Sequence, residues 1–187
     1  MGQVESLSNH FLIAMPALSD PNFHHTATLI CEHNEEGALG LVINRPTELS
    51  LGDILEHMEI GTTRQDVTRQ PVFMGGPVQN DRGFVLHEPV GEWEATLQVS
   101  EHTGITSSRD ILEAIARGEG PLRSFITLGY AGWGAGQLEE ELAANAWLSG
   151  PADTAIVFET PYEQRWEAAA ALIGIDVRLI SGETGHA

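Results

Sequence analysis

The chain has 187 residues, one cysteine and a net charge of −18, with nine arginines and no lysine. So acidic a chain lacks the dense cationic face that DNA, RNA or anionic lipid needs, and the missing lysine removes Schiff-base and pyridoxal chemistry. A single cysteine excludes an internal disulfide and fits a reducing cytoplasm.

Read in order, residues 10–15 (HFLIAM) form a short apolar run stopped by Pro16, a buried strand. Residues 19–22 carry loop chemistry. Runs 26–33 and 38–44 flank Asn34-Glu35-Glu36-Gly37 and predict a hairpin with a four-residue turn. Its second strand is apolar on both faces and should lie centrally in a sheet. Pro46 keeps Arg45 extended. Ser50 with Asp53 three residues on predicts a capped helix, with Leu51, Ile54, Leu55 and Met58 inward. Residues 61–70 read as a polar loop. A strand at 72–74 ends at Gly75-Gly76-Pro77, residues 80–83 read as a turn, and a strand follows at 84–87. Residues 92–100 alternate weakly, as another strand would. Ser107 opens a helix that Gly118 closes.

An apolar strand (125–130) then runs into Gly129, Gly132, Gly134 and Gly136, and a helix starts at Gln137. Strand, glycine-rich turn, helix is a layout that often holds a ligand. Neither nucleotide fingerprint fits: a G-x-G-x-x-G reading fails at its third glycine, and a P-loop needs lysine. Glu139, Glu140 and Glu141 in the first helical turn would repel a phosphate. The turn either packs a helix onto a sheet, with Trp133 as a plug, or presents Trp133 to an uncharged ligand. Residues 155–158 read as a strand, residues 160–174 as a helix opened by Thr160-Pro161 with Trp166, Ala169, Ala170 and Ile173 inward, and 175–180 as a last strand before a loose tail over 182–187. Hairpins first and strand–helix alternation later give an α/β or α+β fold: one domain over residues 1–187, a mixed sheet and about four helices. No apolar run reaches membrane-spanning length, and no signal peptide is visible, so a cytoplasmic protein is expected.

The blocks HFLIAMP (10–16), GLVINRP (40–46), GGPVQNDRGFVLH (75–87), TSSRDIL (106–112) and LGYAGWGAGQLEEEL (128–142) together resemble the AlgH/YqgE family of bacterial proteins. The resemblance covers essentially the whole chain. It implies a bifurcated mixed sheet curled into a pseudo-barrel, and a link to transcriptional regulation of alginate production. It implies no settled biochemical activity. The charge, and the lack of a helix-turn-helix, make any such regulation indirect.

No G-x-S-x-G elbow, H-E-x-x-H helix or C-x-x-C pair is present, and no metal or other cofactor is expected. His24 and His25 are adjacent and would point apart on a strand. Cys31 lies in an apolar run and reads as an inert small hydrophobe. His87, at the end of a strand beside Glu88, is the best acid–base candidate. Asn44, Arg45, Gly75, Gly76, Arg82, Gly132, Trp133 and Gly134 are the candidate ligand-binding residues, because they sit at strand ends or turns where polar groups converge. Arg45 and Arg82 are expected to share one cleft. These residues favour a module that binds a small molecule or a protein partner. The alternative is a small hydrolase or transferase using His87 with Asp81 or Glu88.

Overall fold

The computed structural model describes residues 6–177 except 17, 19 and 22. Ten strands form one curled, mixed sheet, with six α-helices around it among the described residues. The strands are β1 (His10–Ala14), β2 (Ala27–Asn34), β3 (Gly37–Val42), β4 (Pro46–Ser50), β5 (Pro71–Met74), β6 (Val78–Glu88), β7 (Thr96–Gln98), β8 (Gly104–Thr106), β9 (Arg123–Gly134) and β10 (Trp147–Pro151). The helices are α1 (Leu51–His57), α2 (Gln65–Thr68), α3 (Arg109–Ala116), α4 (Gln137–Ala143), α5 (Thr154–Glu159) and α6 (Arg165–Leu172).

The sheet order is β10-β1-β2-β3-β9-β6-β8-β7, and β9 organises it. Along one edge β9 pairs with β6. Its other edge is shared. The first half runs parallel to β5, from Val72 opposite Ile126 to Met74 opposite Leu128. The second half is antiparallel to β3, from Gly40 opposite Ala131 to Gly37 opposite Gly134. The sheet therefore splits at Gly129, which has φ +74°. Gly75 bridges the fork, its N–H donating to Leu128 and its carbonyl accepting from Val42, both at 2.8 Å. Side chains do not fit here: a Cβ on Gly129 would lie 2.4 Å from the Gly76 oxygen, and one on Gly76 would lie 2.1 Å from the Tyr130 carbonyl carbon. The bifurcation that the family resemblance implied is present, and these glycines permit it.

Inside the curl lies the main core, with Phe11, Leu29, Leu41, Phe73, Leu86 and Phe125 among its members. On the outer face α1 and α3 cover Val72, Val85 and Ile126. On the far wing α4 covers Leu12, Ile30 and Ala131.

Several expectations needed correction. Residues 155–158 are helix α5, not a strand, and residues 65–68 are helical within the expected loop. Six helices thus replace the expected four. The glycine-rich turn is not a turn, because β9 runs on through Gly132 to Gly134 and finds β3 as its partner. Residues 80–83 are strand, in an irregular stretch of β6 between Val78 and Gly83. The hairpin turn is tighter than four residues, since Asn34 pairs with Gly37. The N-cap of α3 is Ser108, one residue later than expected. Strands β4 and β10 carry no alternating apolar pattern and were missed. The expected last strand lies partly, and the expected tail wholly, outside the described residues.

Candidate functional site

Asn44 and Arg45 fasten the loop before β2 onto the end of β3. Asn44 accepts from the Ala27 N–H at 3.1 Å and donates to the His25 carbonyl at 2.9 Å. Arg45 donates to the carbonyls of Pro21 at 2.6 Å and His24 at 2.8 Å. Burial lowers the Arg45 pKa, against an opposing pull from Asp20. Arg45 also borders a cavity of about 210 Å³ with Gly76 and Asn80. Arg82 turns elsewhere. It donates to Ser107 Oγ at 3.1 Å and stacks over Phe84 at 5.6 Å. The two arginines share no hydrogen-bond partner, so the geometry gives no support to a common cleft. Gly75 and Gly76 are taken up by the fork, and Gly134 donates to the side chain of Gln137 at 3.0 Å.

Trp133 is 6% exposed, so its ring is a plug rather than a displayed surface. Its Nε1–H donates to Glu141 Oε1 at 3.0 Å, and Trp147 donates to the same oxygen at 2.9 Å. Phe23 packs on both rings. The glycines on either side of Trp133 lie within β9, opposite Leu39 and Gly37 of β3, where the sequence suggested a turn.

His87 is fully buried. A ring nitrogen facing a carbonyl must donate, so Nδ1–H points to Pro89 O at 2.9 Å. Nε2 therefore accepts from Thr106 Oγ1 at 2.6 Å, and Thr96 Oγ1 lies 2.8 Å further along. Desolvation lowers the His87 pKa, outweighing the Pro89 hydrogen bond, which raises it. Glu88 points away from this chain and accepts from Thr103 at 2.6 Å and Thr154 at 2.9 Å. The hydroxyl–imidazole–carbonyl series has the layout of a nucleophile, a base and an orienting group, but Thr106 is as buried as His87. Cys31 faces the core, and burial, with Glu32 adding to it, pushes its thiol up to about 12. Burial and this shift both favour the protonated thiol at neutral pH, the poorer nucleophile of its two forms. His24 and His25 do not point apart. They lie off any strand, and their rings stack at 3.8 Å.

Arg165 was not anticipated. It is 7% exposed at the start of α6, with its guanidinium 5.0 Å from the Phe73 ring and 5.4 Å from the Phe125 ring. It donates to the carbonyls of Thr160 at 2.9 Å and Ile43 at 2.5 Å. Burial lowers its pKa to about 10, against the attraction of Glu163, so it stays charged. These contacts tie α6 to the sheet interior.

The open concavity lies on the inner face of the curl. One cavity of about 400 Å³ is bordered by Glu32, Glu36, Leu39, Tyr130 and Gly132, with Trp133 at its edge. A second of about 360 Å³ is bordered by Leu39, Phe84, Glu94, Leu97, Ile105 and Ser107. Leu39 borders both, and the Phe84 and Tyr130 rings meet edge to face at 5.6 Å. Together they form a groove with an apolar floor and carboxylates on its rim. Of the sequence candidates, Gly132 and Trp133 border it, and Arg82 touches its wall through Phe84 and Ser107. His87 lies on the opposite face of β6, because it alternates with Phe84 and Leu86. Leu39, Tyr130, Phe84, Leu97 and Ile105 gave no functional signal in sequence: each is an ordinary apolar strand residue, and only the curl of the sheet gathers them.

A family profile described as AlgH-like matches residues 11–178. The chain belongs to the AlgH-like family. A UPF0301 protein of Nitrosococcus oceani is 60% identical over 179 residues, covering 96% of each chain. A UPF0301 protein of Thioalkalivibrio sulfidiphilus is also 60% identical, over 182 residues and 97% of each chain. The solution structure of the AlgH protein from Pseudomonas aeruginosa superposes with a TM-score of 0.81 at 49% identity, covering both chains completely. A crystal structure of a protein from Corynebacterium diphtheriae has a TM-score of 0.76 at 18% identity, covering 97% of this chain and 94% of that one, and shares the fold. The mixed α/β half-barrel is thus a property of the AlgH-like family. No α-helix among the described residues is long and apolar enough to cross a membrane.

Proposed function

We propose that this AlgH-like protein is a non-catalytic binding module whose ligand lies across the inner-face groove. The supporting observation is the groove itself: an open apolar floor centred on Leu39, bordered by Glu32, Glu36 and Glu94, with the two reactive side chains that could serve it held out of use. His87 faces away, and the Cys31 thiol is protonated. Apolar pockets with a few polar groups on the rim are the usual form of ligand sites. The rim carboxylates select against anions and favour a neutral or cationic ligand with an apolar body. Any influence on transcription runs through such binding and not through contact with DNA.

A thermal-shift screen of a metabolite library tests this. A ligand at about a hundredfold its Kd should stabilise the fold by ~2.7 kcal/mol. Leu39→Gln and Tyr130→Gln should each abolish the shift while leaving the protein folded. Hits indifferent to both substitutions would overturn the reading.

A further inference from the structure

We propose that the outer edge of β7, together with the groove beside it, accepts an extended peptide segment of a partner protein, added to the sheet as a further strand and carrying basic residues at its flanks. The proposal rests on the reading of the groove as a binding site and names its occupant. Strand β7 ends the sheet and pairs only with β8 among the described residues. The ladder fixes which of its groups face outward. Ser107 N–H donates to Ala95 O at 3.1 Å, and Val99 N–H donates to Thr103 O at 2.8 Å. In an antiparallel ladder the bonded positions alternate. Positions 95, 97 and 99 therefore turn inward to β8, and the N–H and C=O groups of Thr96 and Gln98 point out from the sheet. Such an edge is a template for another strand.

The edge is also held still. Glu94 N–H donates to Asp110 Oδ2 at 2.8 Å, and Ala95 N–H donates to Ser108 Oγ at 3.0 Å, fixing the entry to β7 against the start of α3. Thr96 is tied to Thr106 through its hydroxyl at 2.8 Å. An incoming strand thus meets preordered donors and acceptors, which lowers the ordering cost of binding. Beside this edge lies the 360 Å³ cavity lined by Leu39, Phe84, Leu97 and Ile105. Alternate side chains of an added strand would enter it, since successive residues point to opposite faces. The other free edges are less suited: β4 opens at Pro46 and β10 closes at Pro151, and proline has no N–H to offer.

Charge supplies the last element. Glu92 and Glu94 precede β7 and Glu101 follows it, all exposed, on a chain of net charge −18. Arg82, which reaches the groove wall, is engaged with Ser107. A second copy of this chain would bring like charges together, whereas a peptide with arginine or lysine at its ends would not. The edge is only three residues long, so the ladder supplies few bonds and the groove must supply the rest of the affinity.

The test is a displayed library of random short peptides, selected against the full-length protein. Enriched sequences should alternate apolar residues and carry basic ends. For a synthetic copy of the strongest, hydrogen exchange should slow at the Thr96 and Gln98 amides on binding. N-methylation of the peptide at alternate positions should weaken binding about tenfold, roughly the loss of one hydrogen bond, while methylation of the intervening positions leaves it unchanged. Gln98→Pro, which removes one outward N–H, should weaken binding by a similar factor; if that variant does not fold, the methylation series still decides. No enrichment, or binding without protection of Thr96 and Gln98, overturns the proposal. Protection of those amides in the free protein that grows with its concentration would assign the edge to a second copy and also overturns it. Small-molecule hits in the groove without peptide binding would sink this inference alone; absence of both would sink the groove as a site.

Discussion

His87 carries the acid–base chemistry that sequence offered, but its ring is buried and both of its nitrogens are occupied. A buried imidazole hydrogen-bonded at both nitrogens by Pro89 and Thr106 gains nothing from a second proton, and desolvation lowers its pKa. In the unfolded chain it titrates near ~6.5. Between that value and its lowered folded value, the unfolded state holds the extra proton. Stability therefore falls as pH drops through about 6.5, and this contribution levels off below the folded pKa. His87→Gln removes the titration. Its urea midpoint, measured from about pH 7.5 down to about pH 5, should fall less steeply than that of the wild type; parallel slopes would show that His87 is not the group responsible. Glu141 is a second case of chemistry absorbed by packing. Its carboxylate, in the helix start that argued against phosphate, is the shared acceptor of Trp133 and Trp147. Sequence showed that both kinds of group were present. It did not show that Pro89 and Thr106 would occupy both nitrogens of His87, or that tryptophans brought from β9 and β10 would share Glu141.

Elements were legible where local chemistry alone decides them. Helix α1 is the clearest: Ser50 Oγ accepts from Asp53 N–H at 3.3 Å, and Asp53 accepts in return from Ser50 N–H at 2.8 Å. Removing that reciprocal pair with Ser50→Ala should cost about 1 kcal/mol in urea unfolding, and a change within a few tenths would mean the helix is held by packing alone. Legibility failed where tertiary partners decide. The α5 sequence TAIVFE is rich in β-branched and aromatic residues and reads as strand, yet Asp153 caps it by accepting from Ala155 N–H at 3.0 Å, and Val157 packs into the core. Strand β10, with Ser149, Gly150 and Pro151, has no strand signal of its own and exists because β1 pairs with it from His10 to Ala14. Strand β9 outruns its apolar segment for the same reason. The inner-face groove was the least legible feature, because it is bounded by β3, β6, β7, β8 and β9, and no local pattern marks any of its residues as special.

At the scale of the molecule the fold depends on one strand serving both branches of a forked sheet, and a matched pair of glycines in that strand tests this. Gly129 stands at the fork with φ +74°, and its missing Cβ would meet three backbone atoms: Gly76 O at 2.4 Å, Asn80 Cα at 2.9 Å and Val78 O at 3.0 Å. None of these is the end of a flexible side chain, so relief requires β6 and the Gly75-Gly76 segment to move apart. Gly132 lies three residues on in the same strand. A Cβ there would make ordinary contacts with Tyr130 at 3.5 Å and Val78 at 3.7 Å. Its only loss is some groove space. Gly129→Ala should therefore combine left-handed backbone strain of roughly 1–2 kcal/mol with separation of the fork, for a total of about 3 kcal/mol or more. Gly132→Ala should stay within about 0.5 kcal/mol of the wild type. Urea unfolding of the two variants side by side gives the answer. Equal and small effects would mean that the fork tolerates a side chain and that the split sheet is not set by glycine. Equal and large effects would mean that β9 tolerates no side chain at either glycine, whatever the backbone angle. The expected large difference would place the origin of the half-barrel, and with it the groove between its walls, at the crossing of Gly129 and Gly76.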